Sequence, residues 1–163
     1  MAELAELKEP LSPTTEPSKS KEELFLKASV WVVDDNMIAG DFAKGALKSF
    51  GYQKVSFFNS SQQALNEYQE AVREGKKLPD LVVSDFNMKS ELNGDELYRE
   101  MKSFSGDEVP IFIIVSGMIS ELERERVTKL GVFSVLLKPF NLEELEKIVG
   151  KGLESHFKKE QET

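Results

Sequence analysis

Five polar or charged side chains follow short apolar segments of the sequence: Asp34, Asp35, Asp85, Ser116 and Lys138. Carboxylates crowded at one place repel one another, and a divalent cation relieves that repulsion. Hard oxygen ligands without a sulfur donor favour Mg²⁺, which readily shares its coordination shell with phosphate oxygens. The set therefore predicts a phosphoryl-binding site in which Lys138 and Ser116 contact phosphate oxygens and Asp85 is the carboxylate nucleophile.

The apolar segments before these side chains have the composition of buried strands. They are about five residues long, rich in Val, Ile and Phe, and mostly continuous rather than alternating. This pattern is typical of strands covered on both faces in a parallel sheet. The five predicted strands are Ser29–Val33, Lys54–Phe58, Leu81–Ser84, Ile111–Val115 and Phe133–Leu137.

Between the strands, the apolar spacing changes to that of amphipathic helices. Four apolar stripes are expected to face the core: Ala43, Ala46, Leu47 and Phe50; Leu65, Tyr68, Ala71 and Val72; Leu97, Met101 and Phe104; Leu142, Leu145, Val149 and Leu153. Capping boxes predict helix starts at Ser60, Ser120 and Asn141, and glycines predict helix ends at Gly51, Gly75 and Gly131. A weaker helix over Ile119–Leu130 is predicted to be thinly packed and largely exposed.

Five strand–helix units in succession predict an α/β domain, with a doubly wound five-stranded parallel sheet and helices on both faces. In such sheets, ligands bind beyond the carboxyl ends of the strands, where the winding direction reverses. The side chains at the strand ends are therefore expected to meet at one edge of the sheet.

Composition excludes several other kinds of site. The chain has 163 residues, no cysteine, a single histidine (His156) and a formal net charge of −8. Without cysteine there is no disulfide scaffold, thiolate nucleophile or thiolate metal site. The acidic balance argues against nucleic acid or an anionic membrane as the main partner. His156 is predicted to lie on a solvated helix end.

The chain is predicted to hold one domain between two tails. Residues 1–27 contain Pro10, Pro13 and Pro17 and are expected to form a flexible N-terminal tail, with a helical turn near its end. Residues 28–158 form the domain and residues 159–163 a C-terminal tail. Since the sequence has neither a membrane span nor a secretory signal, a cytoplasmic location is expected.

The motifs together resemble the receiver domain of two-component response regulators of the chemotaxis-regulator type, over about residues 28–155. The resemblance rests on VVDDN at 32–36, the buried strand that ends at Asp85, Ser116 after IIV, and KPF at 138–140. It implies a flavodoxin-like sheet with strand order 2-1-3-4-5. It also implies that the peptide bond between Lys138 and Pro139 is cis.

The resemblance further implies a role for each site residue. Asp85 would accept a phosphoryl group from a histidine kinase or a phosphotransfer protein. Asp35, Asp85 and the backbone carbonyl of Asn87 would bind Mg²⁺, and Asp34 would act through water. Lys138 and Ser116 would hold the phosphoryl oxygens and pass the signal on.

The sequence departs from the family pattern at three places. Val135 stands where the family has an aromatic residue that turns inward on activation, and Phe133 lies on the same side of the strand by alternation. Lys89 stands where a proline is usual, in a loop that looks one residue longer. Gly117 replaces an alanine, and Met118 after it would partly screen an aspartyl phosphate from water.

Three functional hypotheses follow from the sequence. The leading one is a stand-alone receiver that signals through protein contacts and catalyses only its own phosphorylation and dephosphorylation, so it is not an enzyme in the usual sense. The alternative is a phosphorylation-independent interaction module whose switch is altered at Val135. A Mg²⁺-dependent phosphatase is disfavoured because Asn87 stands where a second, acid–base aspartate would be needed.

The partners expected are the phosphodonor, an unknown downstream protein and a second copy of the chain. A homodimer would use the face formed by the fourth helix, fifth strand and fifth helix, with Arg124, Glu125, Arg126 and Lys129 forming ion pairs across it.

Overall fold

The computed structural model describes Glu23, residues 25–89 and residues 91–162. Their elements alternate between strand and helix, with one 3₁₀ turn at Gly106–Glu108. The strands are β1 (Ser29–Val33), β2 (Lys54–Phe58), β3 (Leu81–Asp85), β4 (Ile111–Ser116) and β5 (Ser134–Leu137). The helices are α1 (Met37–Ser49), α2 (Ser61–Glu74), α3 (Gly94–Ser105), α4 (Glu121–Leu130) and α5 (Leu142–Glu162).

The strands form one five-stranded parallel sheet in the order β2-β1-β3-β4-β5. This confirms the predicted architecture and strand order. β3 and β4 each run one residue further than predicted, so Asp85 and Ser116 are themselves the last residues of their strands. Asp85 and Ser116 are therefore held by the ladder of the sheet rather than by free loops.

The sheet separates two apolar clusters. The cluster on one face joins it to α1 and α5, and the cluster on the other face joins it to α2, α3 and α4. The central strands are buried on both sides, as their continuous apolar sequences predicted. In α4 only Val127 is buried, which confirms the prediction of a thinly packed helix.

The capping predictions are confirmed at the described helix ends. Ser60 and Ser120 accept bonds from the backbone of Gln63 and Glu123, and Asn141 accepts one from Glu144. Gly51, Gly75 and Gly131 all have positive φ after their helices, a conformation that glycine adopts without strain.

Two residues of the predicted apolar stripes are instead exposed. Phe104 is 44% exposed, because the last turn of α3 contacts α2 through its neighbour Ser105, whose hydroxyl lies 2.6 Å from the Tyr68 hydroxyl. Leu142, 46% exposed, is the first residue of α5, and the buried stripe begins one turn later at Leu145.

Structured residues continue beyond both predicted boundaries of the domain, packed at the amino end and helical at the carboxyl end. Phe25 stacks on Phe157 with ring centroids 6.1 Å apart, so it packs three residues before the expected start at residue 28. α5 continues to Glu162, through most of the predicted C-terminal tail. Residues 1–22 of the tail predicted over residues 1–27, and the final residue, Thr163, lie outside the described residues.

The prediction for His156 was wrong, because this residue is half-buried rather than on a solvated helix end. Its Nε2 lies 2.9 Å from Oδ1 of Asp80, a buried carboxylate just before β3. The other oxygen of Asp80 accepts a 2.8 Å bond from the backbone N–H of Ser29, at the start of β1. The pair therefore joins α5 to the amino ends of two strands, opposite the edge where the predicted site lies.

Among the described residues, no helix combines the length and apolar character needed to cross a bilayer.

Candidate functional site

The carboxyl edge of the sheet brings the predicted acidic residues together. Asp34 and Asp35 follow β1, and Asp85 ends the neighbouring strand β3, at the point where the strand order reverses. One oxygen from each of these three carboxylates lies within 4.8 Å of the others. Lys138, which follows β5, places its Nζ 3.2 Å from Asp85 Oδ1 and 3.5 Å from Asp34 Oδ2. The predicted cluster is thus assembled around one ammonium group.

The charges of this cluster are unbalanced. Burial and the repulsion of Asp34 raise the pKa of Asp85, and the attraction of Lys138 only partly opposes them. Burial alone would lower the pKa of Lys138, but Asp34 and Asp85 outweigh it and raise that pKa. The lysine is therefore charged at neutral pH, and this single cation stands beside a group of three carboxylates. An oxygen-only donor set with surplus negative charge fits a hard divalent cation such as Mg²⁺.

Asp34 is the most constrained member of the cluster. It is buried, its Oδ1 accepts a 2.9 Å bond from the backbone of Asn36, and its Oδ2 faces Lys138. Its own N–H donates to the carbonyl of Phe58 at the end of β2. Because both carboxylate oxygens already have partners, Asp34 is better suited to hold a metal-bound water than to bind a cation directly.

Of the other two predicted site residues, Asn87 lies on the loop that leaves β3, and Ser116 is the last residue of β4. Asn87 is exposed, but it stands between the buried side chains of Phe86 and Met88, which anchor the backbone on either side of it. Ser116 is buried, and its hydroxyl donates a 2.7 Å bond to the carbonyl of Met118 and accepts one from the N–H of Met118. The serine hydroxyl is thus bonded to the β4–α4 loop.

Gly94, for which no role was predicted, lies against the backbone of the site. Its N–H donates a 2.8 Å bond to the carbonyl of Phe86. A Cβ at this position would lie 2.6 Å from the carbonyl oxygen of Asp85 and 3.3 Å from Cα of Phe86. The only sequence signal was an Asn-Gly pair at the end of the loop, which by itself marks a turn or a helix start.

Gly94→Ala is expected to destabilise the protein by about 1–3 kcal/mol, since its Cβ must displace backbone rather than a flexible side chain. The matched control is Gly45→Ala in α1, where a Cβ meets no atom within 4 Å and where alanine should stabilise the helix by up to about 1 kcal/mol. Urea denaturation of the two variants beside the wild type measures both effects. Equal stability of the two alanine variants would contradict the close approach at Gly94.

An apolar cavity of about 590 Å³ opens beside the carboxylates. It lies between α1 and the segment after β5, and Ile38, Phe42 and Phe140 contribute to its lining. Ile38 is 83% exposed and Phe42 is 54% exposed. The acidic site therefore has a wide apolar rim on its α1 side.

The residues expected to take part in switching are placed on opposite sides of the sheet. Val135 packs against the cluster that holds α2, α3 and α4, whereas the ring of Phe133 lies beside Gly152 of α5. The expectation that Phe133 shares the side of Val135 was wrong, because β5 begins only at Ser134 and strand alternation does not reach residue 133. The expected cis peptide bond between Lys138 and Pro139 is present.

Comparison with known proteins gives consistent results. The family model described as Response regulator receiver domain matches residues 30–150. The "Probable chemotaxis protein CheY" of Rhizobium etli is 25% identical over 120 residues, which cover 74% of this chain and 88% of that protein. "Histidine kinase CKI1" of Arabidopsis thaliana is 34% identical over 138 residues, covering 77% of this chain but only 12% of the kinase.

A solved structure shows the same fold. The chemotaxis protein CheY4 of Vibrio cholerae superposes with a TM-score of 0.68 at 24% identity, over 78% of this chain and 99% of that one. The family match includes every residue that forms the acidic cluster and its lysine. This chain therefore belongs to the response regulator receiver domain family, as the resemblance of its motifs indicated.

Proposed function

We propose that this chain is a phosphorylatable receiver that accepts a phosphoryl group on Asp85 from a histidine kinase or a phosphotransfer protein, requires Mg²⁺, acts in the cytoplasm and signals through altered protein contacts. The observation that carries the proposal is the group of three carboxylates around Lys138 at the carboxyl edge of the sheet. Asp85 lies at the end of a buried strand, and burial together with the charge of Asp34 raises the pKa of its carboxyl.

The reaction is a transfer between two nucleophiles. An oxygen of the Asp85 carboxylate attacks phosphorus, and the bond from phosphorus to the donor's histidine nitrogen breaks with its electron pair going to that nitrogen. Asp35, Asp85 and the carbonyl of Asn87 would hold Mg²⁺, with Asp34 acting through water. When bound, the cation neutralises charge on the phosphoryl oxygens. The chain is modified by the reaction and is not an enzyme in the usual sense.

The chain's own residues then receive the phosphoryl group. Lys138, which lies between Asp34 and Asp85, needs only a small displacement to pair with a phosphoryl oxygen. For Ser116 to donate to another oxygen, its hydroxyl has to leave the carbonyl of Met118. That exchange of hydrogen bonds would move the β4–α4 loop and so carry the change towards α4.

The surfaces around the site differ in character. The apolar rim of Ile38 and Phe42 adjoins Asp85 and suits a protein phosphodonor better than a small polar one.

The predicted homodimer through α4, β5 and α5 remains a prediction. Arg126, which was expected to pair across that interface, instead places its guanidinium 2.7 Å from the buried Asp95 of α3.

Val135 supports the alternative of an interaction module that works without phosphorylation. It is a smaller side chain than the aromatic that the family uses, and it packs against the cluster on the α4 face. Under this alternative, the phosphate mimic beryllofluoride would leave the backbone NMR shifts of α4 and β5 unchanged. Under the leading proposal it shifts them.

The direct test is phosphorylation of the Mg²⁺-loaded chain by acetyl phosphate, followed by intact-mass measurement. One phosphoryl group per chain is expected, on the peptide that contains Asp85, and chelation of Mg²⁺ should prevent its addition. If neither acetyl phosphate nor a phosphorylated histidine kinase adds a group at Asp85, the proposal is wrong.

A further inference from the structure

The loop between β3 and α3 reaches across to the start of α2 through one carboxylate. Glu91 accepts bonds from the hydroxyl of Ser60 at 2.9 and 3.0 Å, from the backbone N–H of Ser61 at 2.9 Å, and from the hydroxyl of Ser61 at 3.2 Å. We call this set of bonds the Glu91 clasp. It joins residues thirty positions apart, and it gives the fully buried Ser61 an acceptor.

The clasp is charged under ordinary conditions. Burial alone would raise the pKa of Glu91, but the bonds donated by Ser60 and Ser61 outweigh it and lower that pKa. A carboxylate at the amino end of α2 also interacts favourably with the positive end of the helix dipole. The contact is therefore a set of charge-assisted hydrogen bonds, which are stronger than bonds between neutral groups.

The same loop carries Asn87, whose carbonyl is one of the proposed metal ligands. Met88 anchors the loop to the domain, because its side chain is fully buried in the core and its N–H donates to the Asn93 side chain at 3.0 Å. The N–H of Glu91 donates a 3.1 Å bond to the carbonyl of Met88. Restraint of Glu91 is thus transmitted to Met88, the residue next to Asn87.

The start of α2 is itself tied to the acidic cluster. The N–H of Asp34 donates to the carbonyl of Phe58 at 3.1 Å, and Ser60 follows Phe58 by two residues. Contacts therefore run from Asp34 through the end of β2 to Ser60, and from there through Glu91 to the loop beside Asp85. The clasp therefore joins the segment between β2 and α2, whose Phe58 is bonded to Asp34, to the loop that carries Asn87.

We propose that Glu91 is a positioning residue for the Mg²⁺ site: its bonds to Ser60 and Ser61 hold the β3–α3 loop so that the Asn87 carbonyl is presented to the cation. This inference rests on the proposed function. A preformed loop binds metal more tightly because it does not have to be ordered on binding. Loss of an outer-shell support typically weakens metal binding by about tenfold or more.

The test measures Mg²⁺ affinity by isothermal titration calorimetry in Glu91→Ala, Glu91→Gln and the wild type. The alanine variant is expected to bind about tenfold more weakly. The glutamine variant keeps an acceptor for Ser60 and Ser61 without the charge, and it should stay within about threefold of the wild type. Glu125→Ala removes an exposed carboxylate on α4 and controls for the change in net charge.

Amide hydrogen exchange of the metal-free proteins provides a second readout that does not depend on the cation. Faster exchange over residues 87–93 and at the start of α2 in Glu91→Ala alone would support the clasp. Equal Mg²⁺ affinity in Glu91→Ala and the wild type, or an equal loss in the alanine and glutamine variants, would overturn the inference. Absence of Mg²⁺ binding by the wild type would instead overturn the proposed function on which it rests.

Discussion

Asp85→Asn is expected to abolish phosphorylation, from one group per chain to none, and at the same time to make the metal-free protein more stable. Asparagine has no carboxylate oxygen to attack phosphorus. It also removes a charge that is penalised by burial and repelled by Asp34 and Asp35. Intact mass after treatment with acetyl phosphate measures the first effect, and urea denaturation in EDTA at neutral pH measures the second.

The direction of the stability change follows from linkage. A raised pKa in the folded state means that the folded protein favours the protonated form of Asp85. Protonation of Asp85 stabilises the folded state fully at pH values below the pKa that Asp85 has in the unfolded chain. This stabilisation is lost as the pH rises through the pKa of Asp85 in the folded protein, so at neutral pH the ionised side chain opposes folding. Asp41→Asn, at an exposed position on α1, is the control and should leave both measurements unchanged.

The stability of the wild type and that of Asp85→Asn should also respond differently to Mg²⁺. A ligand that binds only the folded state raises its stability by mass action, so Mg²⁺ should stabilise the wild type and have little effect on Asp85→Asn. A variant that is phosphorylated as well as the wild type would exclude Asp85 as the acceptor. A variant that is less stable in EDTA would show that Asp85 supports the fold, contrary to the charge imbalance at the site.

The site could be predicted from the sequence because its charged residues stand at the ends of predicted parallel strands. Asp34, Asp85 and Lys138 each follow an apolar segment, and parallel strands bring their carboxyl ends to one edge of the sheet. Strand identity and order depend on local patterning and on the family motifs, and neither requires knowledge of a particular long-range contact. The positions of these three side chains were therefore fixed by the topology alone.

The features that were missed depend on contacts between distant residues. Gly94 matters because it approaches the backbone of Asp85, and Glu91 matters because it reaches Ser60, and no local pattern marks either contact. The Ser116 hydroxyl bonds to Met118 two residues away, a contact that no motif marks, and its role toward a phosphoryl oxygen stays a prediction.

His156 was misjudged for a similar reason. Its neighbours Glu154, Ser155 and Lys158 are polar, which is typical of an exposed helix end. Its partner, Asp80, lies 76 positions earlier, in a short segment before β3 that carries no recognisable motif. The pairing forms because the part of α5 around Leu153 and Phe157 packs against the cluster on its face of the sheet, which brings His156 to Asp80.

This contact makes Asp80→Ala the substitution with the largest expected effect on stability, a loss of about 2–4 kcal/mol. It leaves the Ser29 N–H and the His156 ring without their acceptor at partly buried positions, and an unmade buried hydrogen bond costs about 1–3 kcal/mol. His156→Ala should cost about 1 kcal/mol, because Asp80 keeps the bond from the Ser29 N–H and its ion pair with Lys77, at 3.5 Å. Urea denaturation of both variants measures the difference.

The pH dependence provides an independent check on the same pair. Burial would raise the pKa of Asp80, but the bonds from His156 and Ser29 outweigh it and lower that pKa below the usual value. A depressed pKa contributes stability above the unfolded pKa, and that stability is lost as the pH falls through the folded pKa. The wild type should thus lose more stability than Asp80→Ala on acidification below about pH 4. Parallel acid unfolding curves would show that the carboxylate contributes nothing, and that α5 is held to the sheet by its apolar packing alone.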